Sequence, residues 1–305
     1  MNFPDVWLGR VDKKLKNTDE APFLDGISEI PSGIIMVGEG EDGEKCLIHI
    51  PTTDFEPGVL INNTAYPIAL EEYDDDSATV ALDKYQTKVT TVSDDAVLGA
   101  TYDKIDAVTG SHVSAINSNK FAKAIHAIAP ENDDDLTPVI GTSGAVETGT
   151  VRCTLLKKDI IALKKAFDLA QVPAKGRRLV LCPDHIADLL NQDQVFANQY
   201  YNYTTGKIAN LYGFEVYEYV AMPYFDGGTG IKKSFGAIPS SNDFMASVAF
   251  YAPNIGKKTG ITKQYYAKAE NDPENQTNRL NYRHYFIAVP KRKAYIGAIY
   301  SATIS

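Results

Sequence analysis

Apolar and polar positions alternate in short runs through residues 31–93 and then change to a three-and-four spacing, so a β-rich segment leads into helices. Turn signals at Gly38 to Gly43, Glu56-Pro57-Gly58, Asn62-Asn63 and Asp74 to Asp76 punctuate the β-rich part. The run "ATVALDKYQTKVTTV" (Ala78 to Val92) alternates like one long strand with a wet face. Together these features predict an extended ribbon. Ahead of it, residues 1–30 hold Phe3, Val6, Trp7, Leu8, Phe23, Leu24 and Ile30, too apolar for a solvated tail. They predict an arm that packs on something.

Ser93-Asp94-Asp95 is a helix N-cap signal, with acidic side chains at the positive end of the dipole. Leu98, Thr101, Ile105, Val108, His112 and Ile116 follow at helical spacing; the phase slips at Asn117-Ser118-Asn119 and resumes with Phe121, Ile125 and Ile128. The pattern predicts one long helix kinked near Asn117, or two in series, ending before Pro130. About 35 such residues would span about 50 Å if straight. After a polar loop with Asp133-Asp134-Asp135, Leu156, Ile160, Leu163, Phe167 and Ala170 form a second stripe, capped by Thr154 and stopped at Pro173. The stretch "RRLVLCPDHIADLL" predicts a strand Leu179 to Cys182, broken by Pro183, then a helix capped by Asp184 that presents Ile186, Leu189 and Leu190. Beyond a Tyr-rich segment come strands in "FEVYEYVAMP" and "FMASVAFYA", an apolar stretch at Tyr285 to Val289 and a final strand at Ala294 to Ile304. No internal repeat occurs.

With 305 residues, 44% hydrophobic and 23% charged, the chain can build a substantial core as one large domain or two to three smaller ones. Lys and Arg number 30 against 39 Asp and Glu, and the net charge of −9 argues against a dedicated nucleic-acid binder. Enclosure of nucleic acid without gripping it stays compatible with that charge. Cys46, Cys153 and Cys182 are few, odd in number and far apart, as a reduced compartment permits, so synthesis in a cytoplasm is expected. The N-terminal residues lack an uninterrupted apolar core, and no run of 18 apolar residues occurs, so neither secretion nor membrane spanning is indicated.

Several short patterns invite a chemical reading. Gly38, Gly40 and Gly43 fit G-x-G-x-x-G, but Cys46, Ile48 and Ile50 then alternate as a strand, and Glu39, Glu41, Asp42 and Glu44 would repel a pyrophosphate. A hairpin fits better. Cys182 and His185 stand three apart, yet no second Cys/His pair completes a zinc site, and a thiol ending an apolar strand acts as a small hydrophobe. His49, His112, His126 and His284 lie on separate elements, and Asp74 to Asp76 and Asp133 to Asp135 lack a calcium-loop pattern. "GGTGIKKSFG" (Gly227 to Gly236) lacks the glycine that precedes the lysine of a phosphate loop, and no G-x-S-x-G is present. Basic clusters at Arg10 to Lys16, Lys175 to Arg178 and Lys291 to Lys293 are short. No catalytic, cofactor-binding or metal residue is assigned.

The order of elements resembles the major capsid proteins of tailed bacteriophages, with the Hong Kong 97 fold. "RRLVLCPDHIADLL", Phe196 and "GKIANLYGFEVYEYVAMP" (Gly206 to Pro223) are similar to that family's strand, Pro, short helix, Gly-containing link and G-[FW]-x-V strand ending at Pro. "ALDKYQTKVTTVSDDAVLGATYDKI" (Ala81 to Ile105) resembles the ribbon's return strand entering the spine helix. The resemblance implies an α+β capsid fold: an N-terminal arm (1–30), a β-rich segment with an extended loop (31–93), a peripheral domain with the spine helix (94–150), an α/β axial domain (151–250) and closing strands of the peripheral domain (251–305). It implies a non-enzymatic shell protein, located in the virion, that forms hexamers and pentamers around double-stranded DNA without sequence-specific binding. Portal and cement proteins are implied partners; no long scaffolding segment precedes the arm, so a separate scaffolding protein, or none, is expected. An encapsulin-like compartment protein and an α/β enzyme with an unrecognised site are the alternatives.

Overall fold

The computed structural model describes residues 11–15, 20–31, 33, 35–37, 45–52, 76–94, 104–192, 196, 198, 207–272 and 274–303. Strands β1 (Ile35–Val37), β2 (Lys45–Thr52) and β3 (Asp76–Ala81) form an antiparallel sheet in that order. Val37 faces Lys45, so the G-x-G-x-x-G stretch joins two paired strands as a hairpin does, although residues 38–44 themselves lie outside the described residues. The turn signals between residues 53 and 75 lie outside them as well.

The single strand expected over 78–92 is three strands. β4 (Asp83–Gln86) and β5 (Thr90–Ser93) leave the ribbon sheet and pair with β14 (Thr277–Pro290) instead. The break falls at Leu82, whose side chain turns inward to pack with Tyr285 and Ile287 while its N–H donates to the Cys46 carbonyl. Burial of that one leucine outweighs continued alternation.

Helix α1 (Lys104–Ile128) is one 25-residue helix that runs unbroken past Asn117, so no helix boundary falls where the phase slips. Of the N-cap signal expected at Ser93-Asp94-Asp95, Ser93 ends β5 and the N–H of Asp94 donates to the Gln276 carbonyl, while Asp95, Leu98 and Thr101 lie outside the described residues. The apparent phase slip has a physical cause: the buried face runs unbroken through Ile105, Thr109, His112, Val113, Ile116 and Asn117, then Lys120, Phe121 and Ala124. Four of these side chains are polar and hide the stripe. Lys120 is the extreme case, because its ammonium donates to the Leu15 carbonyl and lies 4.4 Å from the Phe121 ring centroid and 5.2 Å from that of Phe286. Burial pushes its pKa down to about 8.

A six-stranded sheet forms the centre, in the order β6 (Val139–Gly141), β15 (Ile296–Tyr300), β12 (Ser247–Tyr251), β7 (Arg177–Leu181), β9 (Phe214–Glu218), β8 (Lys207–Leu211). β15 with β6 and β7 with β9 run parallel, the other neighbours antiparallel. The two-residue link between β8 and β9, Tyr212-Gly213, takes positive φ at both positions, the backbone of a tight hairpin turn. Side chains alternate across the sheet. Leu179 and Leu181 face helices α2 (Lys157–Leu169) and α3 (Pro183–Gln192), whose Ile160, Leu163, Phe167, Ile186 and Leu189 cover them. Val180, Val248 and Phe250 face the other way, onto α1 and onto Phe23, Leu24 and Ile27 of the arm.

Two caps differ from expectation. α2 starts at Lys157, not at Thr154, because Asp159 accepts the Leu156 N–H at 2.9 Å and the Ser143 N–H at 3.1 Å. α3 starts at Pro183 itself, which places Asp184 inside the first turn, as suits proline at a helix start. The strand expected at Leu179 to Cys182 is Arg177–Leu181.

The C-terminal part holds a small pair, β10 (Tyr224–Asp226) with β11 (Asp243–Met245), and a long hairpin of β13 (Ile255–Ala267) with β14. The hairpin register slips between Thr259 and Thr262. At that slip Gly260 is required: a Cβ there would come within 2.7 Å of the Tyr285 Cβ. Residues 251–305 thus divide between two sheets, β13 and β14 in one and β15 in the other.

Candidate assembly surfaces and the buried polar centre

The Cys182–His185 pair lies in the interior. Both residues are fully buried. His185 Nδ1 hydrogen-bonds the Ser247 hydroxyl at 2.7 Å and Nε2 the Ser301 hydroxyl at 3.0 Å, while the Cys182 N–H donates to the same Ser247 oxygen at 3.1 Å. Burial pushes the thiol up to about 12 and the imidazole down to about 3. A protonated thiol and a neutral ring, both away from solvent, brace β12 and the end of β15 against α3.

Next to them Arg152 donates to both carboxylate oxygens of Asp188, at 2.8 and 2.9 Å, and through Nε to Glu147 at 2.9 Å. Asp188 also accepts the Leu155 N–H at 2.8 Å. The network ties the loop before α2 to α3. Composition and spacing gave no signal for it, because its members come from separate segments.

The other candidates are structural where they are described. His49 Nδ1 hydrogen-bonds Thr79 across β2 and β3, and His284 Nδ1 hydrogen-bonds Thr262 across the long hairpin, whereas His112 and His126 share the one helix α1 instead of lying on separate elements. Asp133 accepts the Val139 N–H and Asp134 the Asp135 N–H, which are turn contacts. In the Gly227 to Gly236 loop, Asp226 accepts the N–H groups of Gly228 and Thr229, the position a phosphate would need. Lys232 donates to the carbonyls of His126 and Ala129, satisfying the C-terminal end of α1. Arg177 pairs with Asp168, and Arg178 donates to the carbonyls of Phe23 and Asp25, fastening the arm. Lys291 donates to the Pro253 carbonyl. Asp74, Asp75, Arg10 and Lys16 lie outside the described residues. Among the described residues no group of three or more His, Cys, Asp or Glu side chains could hold a metal ion, and no helix is long and apolar enough to cross a membrane.

The surface carries the remaining features. A cleft of about 790 Å³ runs between α1 and the β4–β5 edge, with Val108, Ala115, Ile116 and Phe235 as apolar lining and Lys84, Lys88 and Lys123 as cations. Ile231, Phe235 and Ile238 are exposed on the loop that follows β10, Ile238 at 94%.

The chain is similar to known proteins along most of its length. The family model described as phage capsid protein matches residues 75–300. Solved structures of the same fold include the capsid of the cyanophage P-SCSP1u, 14% identical over 92% of this chain and 91% of that one, with a TM-score of 0.55. The capsid of a native GTA particle is 10% identical over 92% and 90%, with a TM-score of 0.60. A virus-like particle from Pyrococcus furiosus is 11% identical over 97% and 98%, with a TM-score of 0.53. At such identities the structures speak to the fold alone. No curated protein matches the chain.

Proposed function

The chain belongs to the phage capsid protein family and is a major capsid shell protein, not an enzyme; we propose that it assembles through hexamers and pentamers into an icosahedral shell around the double-stranded DNA of a tailed bacteriophage. The observation that carries this is the family match itself, which runs from the ribbon's return strand to β15 and takes in α1 and the long hairpin. It does not favour a cellular compartment or an enzyme.

In the finer reading, residues 1–30 are the arm, 31–93 the β-rich segment with the extended loop, 94–150 the peripheral domain with α1 as its spine, 151–250 the axial domain and 251–305 the closing strands. At 25 residues, α1 spans about 37 Å, enough to run the length of a domain. The base of the ribbon packs at home, since Cys46 and Ile48 are buried with Tyr285 and Ile287. The part beyond Thr52 and Asp76 is the part that reaches a neighbouring subunit, because a long hairpin cannot bury both faces on one small partner. Five-fold and six-fold rings follow from such head-to-tail contacts. The net charge of −9 suits a wall that encloses DNA by geometry and leaves its release unhindered. Scaffolding, portal and cement proteins are the expected partners, synthesis takes place in the host cytoplasm, and the virion capsid is the final location.

Sedimentation of the purified chain tests the reading. Closed particles in the megadalton range are expected, and a chain that stays monomeric across salt and pH contradicts it.

A further inference from the structure

The outer face of α2 is basic in a chain that is acidic overall. Residues 152–178 carry eight Lys and Arg against two Asp, while the whole protein stands at −9. Both carboxylates of that stretch are already engaged. Asp159 is buried and accepts the N–H groups of Leu156 and Ser143, and Asp168 pairs with Lys164 at 2.5 Å and with Arg177 at 2.7 Å. Lys158 and Lys165, both exposed, have no hydrogen bond or ion pair among the described residues.

The exposed positions form one stripe. Lys158, Ile161, Ala162, Lys165 and Leu169 recur at i, i+3, i+4, i+7 and i+11, so they share the side of the helix opposite Ile160, Leu163 and Phe167, which face the sheet. Ile161 is 46% exposed and Leu169 75%. Lys158 and Lys165 stand two turns apart, about 10 Å along the axis, and the aliphatic side chains lie between and beyond them. Aliphatic and cationic groups interleaved at this spacing make one half of a helix-on-helix contact. Nucleic acid fits the face less well, because its phosphates would meet the lysines and leave Ile161 and Leu169 in water, and the stripe holds no aromatic or Arg side chain for stacking or reading bases.

We propose that this face of α2 docks an amphipathic helix of a different protein, one whose aliphatic seam is bordered by Asp or Glu. The seam covers Ile161, Ala162 and Leu169, and carboxylates two turns apart meet Lys158 and Lys165, whose methylene stems add apolar contact. Charge decides against a second copy of this chain as the occupant. Helix α1 exposes Ser111, Ser114, Ser118 and Asn119, and α3 exposes Ala187, Asn191 and Gln192, so neither offers an acidic stripe. The docking goes beyond shell formation and does not depend on it.

The probe is a synthetic helix of about 20 residues with Leu at every third and fourth position and Glu on both borders. A scrambled peptide of the same composition, a DNA duplex of similar length and vesicles of anionic lipid are the comparisons. Fluorescence anisotropy with the full chain is expected to show peptide binding that weakens with added salt. Binding should be about tenfold weaker for Lys158→Glu with Lys165→Glu, about tenfold weaker for Ile161→Ser with Leu169→Ser, and unchanged for Lys158→Arg with Lys165→Arg. All four positions are exposed, so the urea midpoints should match that of the wild type. Should charge reversal unfold the chain, Lys158→Gln with Lys165→Gln replaces it in the same assay. Assembled particles are expected to bind the peptide as the free chain does. The free-chain assay decides the docking whether or not particles form, so shell formation and docking fail separately. No peptide binding, equal binding of the scrambled peptide, tighter binding of the duplex or the vesicles, or loss of binding on assembly, which would make the face a contact between copies, overturns the inference.

Discussion

Arg152 and Asp188 face each other as a two-point ion pair, at 2.8 and 2.9 Å, with side chains only 4% and 7% exposed. One comes from the loop before α2, the other from the middle of α3, so the pair fixes the loop that leads from β6 of the central sheet into α2. Removing one partner leaves a buried charge without compensation, at a typical cost of about 3–5 kcal/mol. Asp188→Ala should lower the urea midpoint accordingly, with the larger penalty because Leu155 also loses its acceptor. An unchanged midpoint would contradict the buried network.

His185 predicts an acid limit. Burial holds its folded pKa near 3, below its ordinary 6.5, with Asp188 opposing and Arg152 adding to the effect. Between these values the unfolded chain binds a proton that the folded chain does not, so this contribution is complete above pH 6.5 and is lost as pH falls toward 3. His185→Gln keeps a hydrogen-bonding side chain and removes the titration. Its stability, followed by chemical denaturation from pH 7 to 4, should fall less steeply than that of the wild type; parallel curves would refute the assignment.

Lys120 works in the alkaline range. Its folded pKa of about 8 lies below the ordinary 10.5 of a free lysine, so the folded state gives up the proton first and stability rises from pH 8 to 10.5. Lys120→Met should flatten that rise in a thermal melt while losing the tie to the Leu15 carbonyl. A rise of the same size in the variant would show that the ammonium is not the titrating group.

Gly297 permits α2 to sit on β15. A Cβ at this position would lie 2.9 Å from the Phe167 ring, 3.0 Å from Leu163 and 3.0 Å from the Pro138 carbonyl. Gly297→Ala should cost about 1–3 kcal/mol by overpacking, and Phe167→Ala about 3–5 kcal/mol by cavity formation. Since both act on one contact, the double variant should cost less than the sum. Strict additivity, measured by denaturation, would place the two effects at separate sites.

The helices and the strand at Leu179 were legible because their apolar positions are unbroken or end at proline. α2 shows this in Ile160, Leu163 and Phe167, all buried. The α1 stripe was readable only in part, since Thr109, His112, Asn117 and Lys120 are buried polar side chains that look like a change of phase. The long hairpin was visible only at Tyr285 to Val289: Lys257, Lys258, Lys263, Arg279 and Arg283 give its strands a polar pattern, and the burial that makes them strands comes from α1, the arm and the ribbon. Of the polar centre at His185 only the spacing from Cys182 was legible, because Ser247 and Ser301 stand 62 and 116 residues away. The cleft is likewise a product of tertiary pairing, which carries β4 onto β14 and so alongside α1.

The most direct measurement is cryo-electron microscopy of the purified full-length chain. The account predicts closed icosahedral particles whose walls contain both hexamers and pentamers, with each subunit laying its ribbon across a neighbour. A field of separate subunits, or open aggregates without five-fold and six-fold rings, would contradict it.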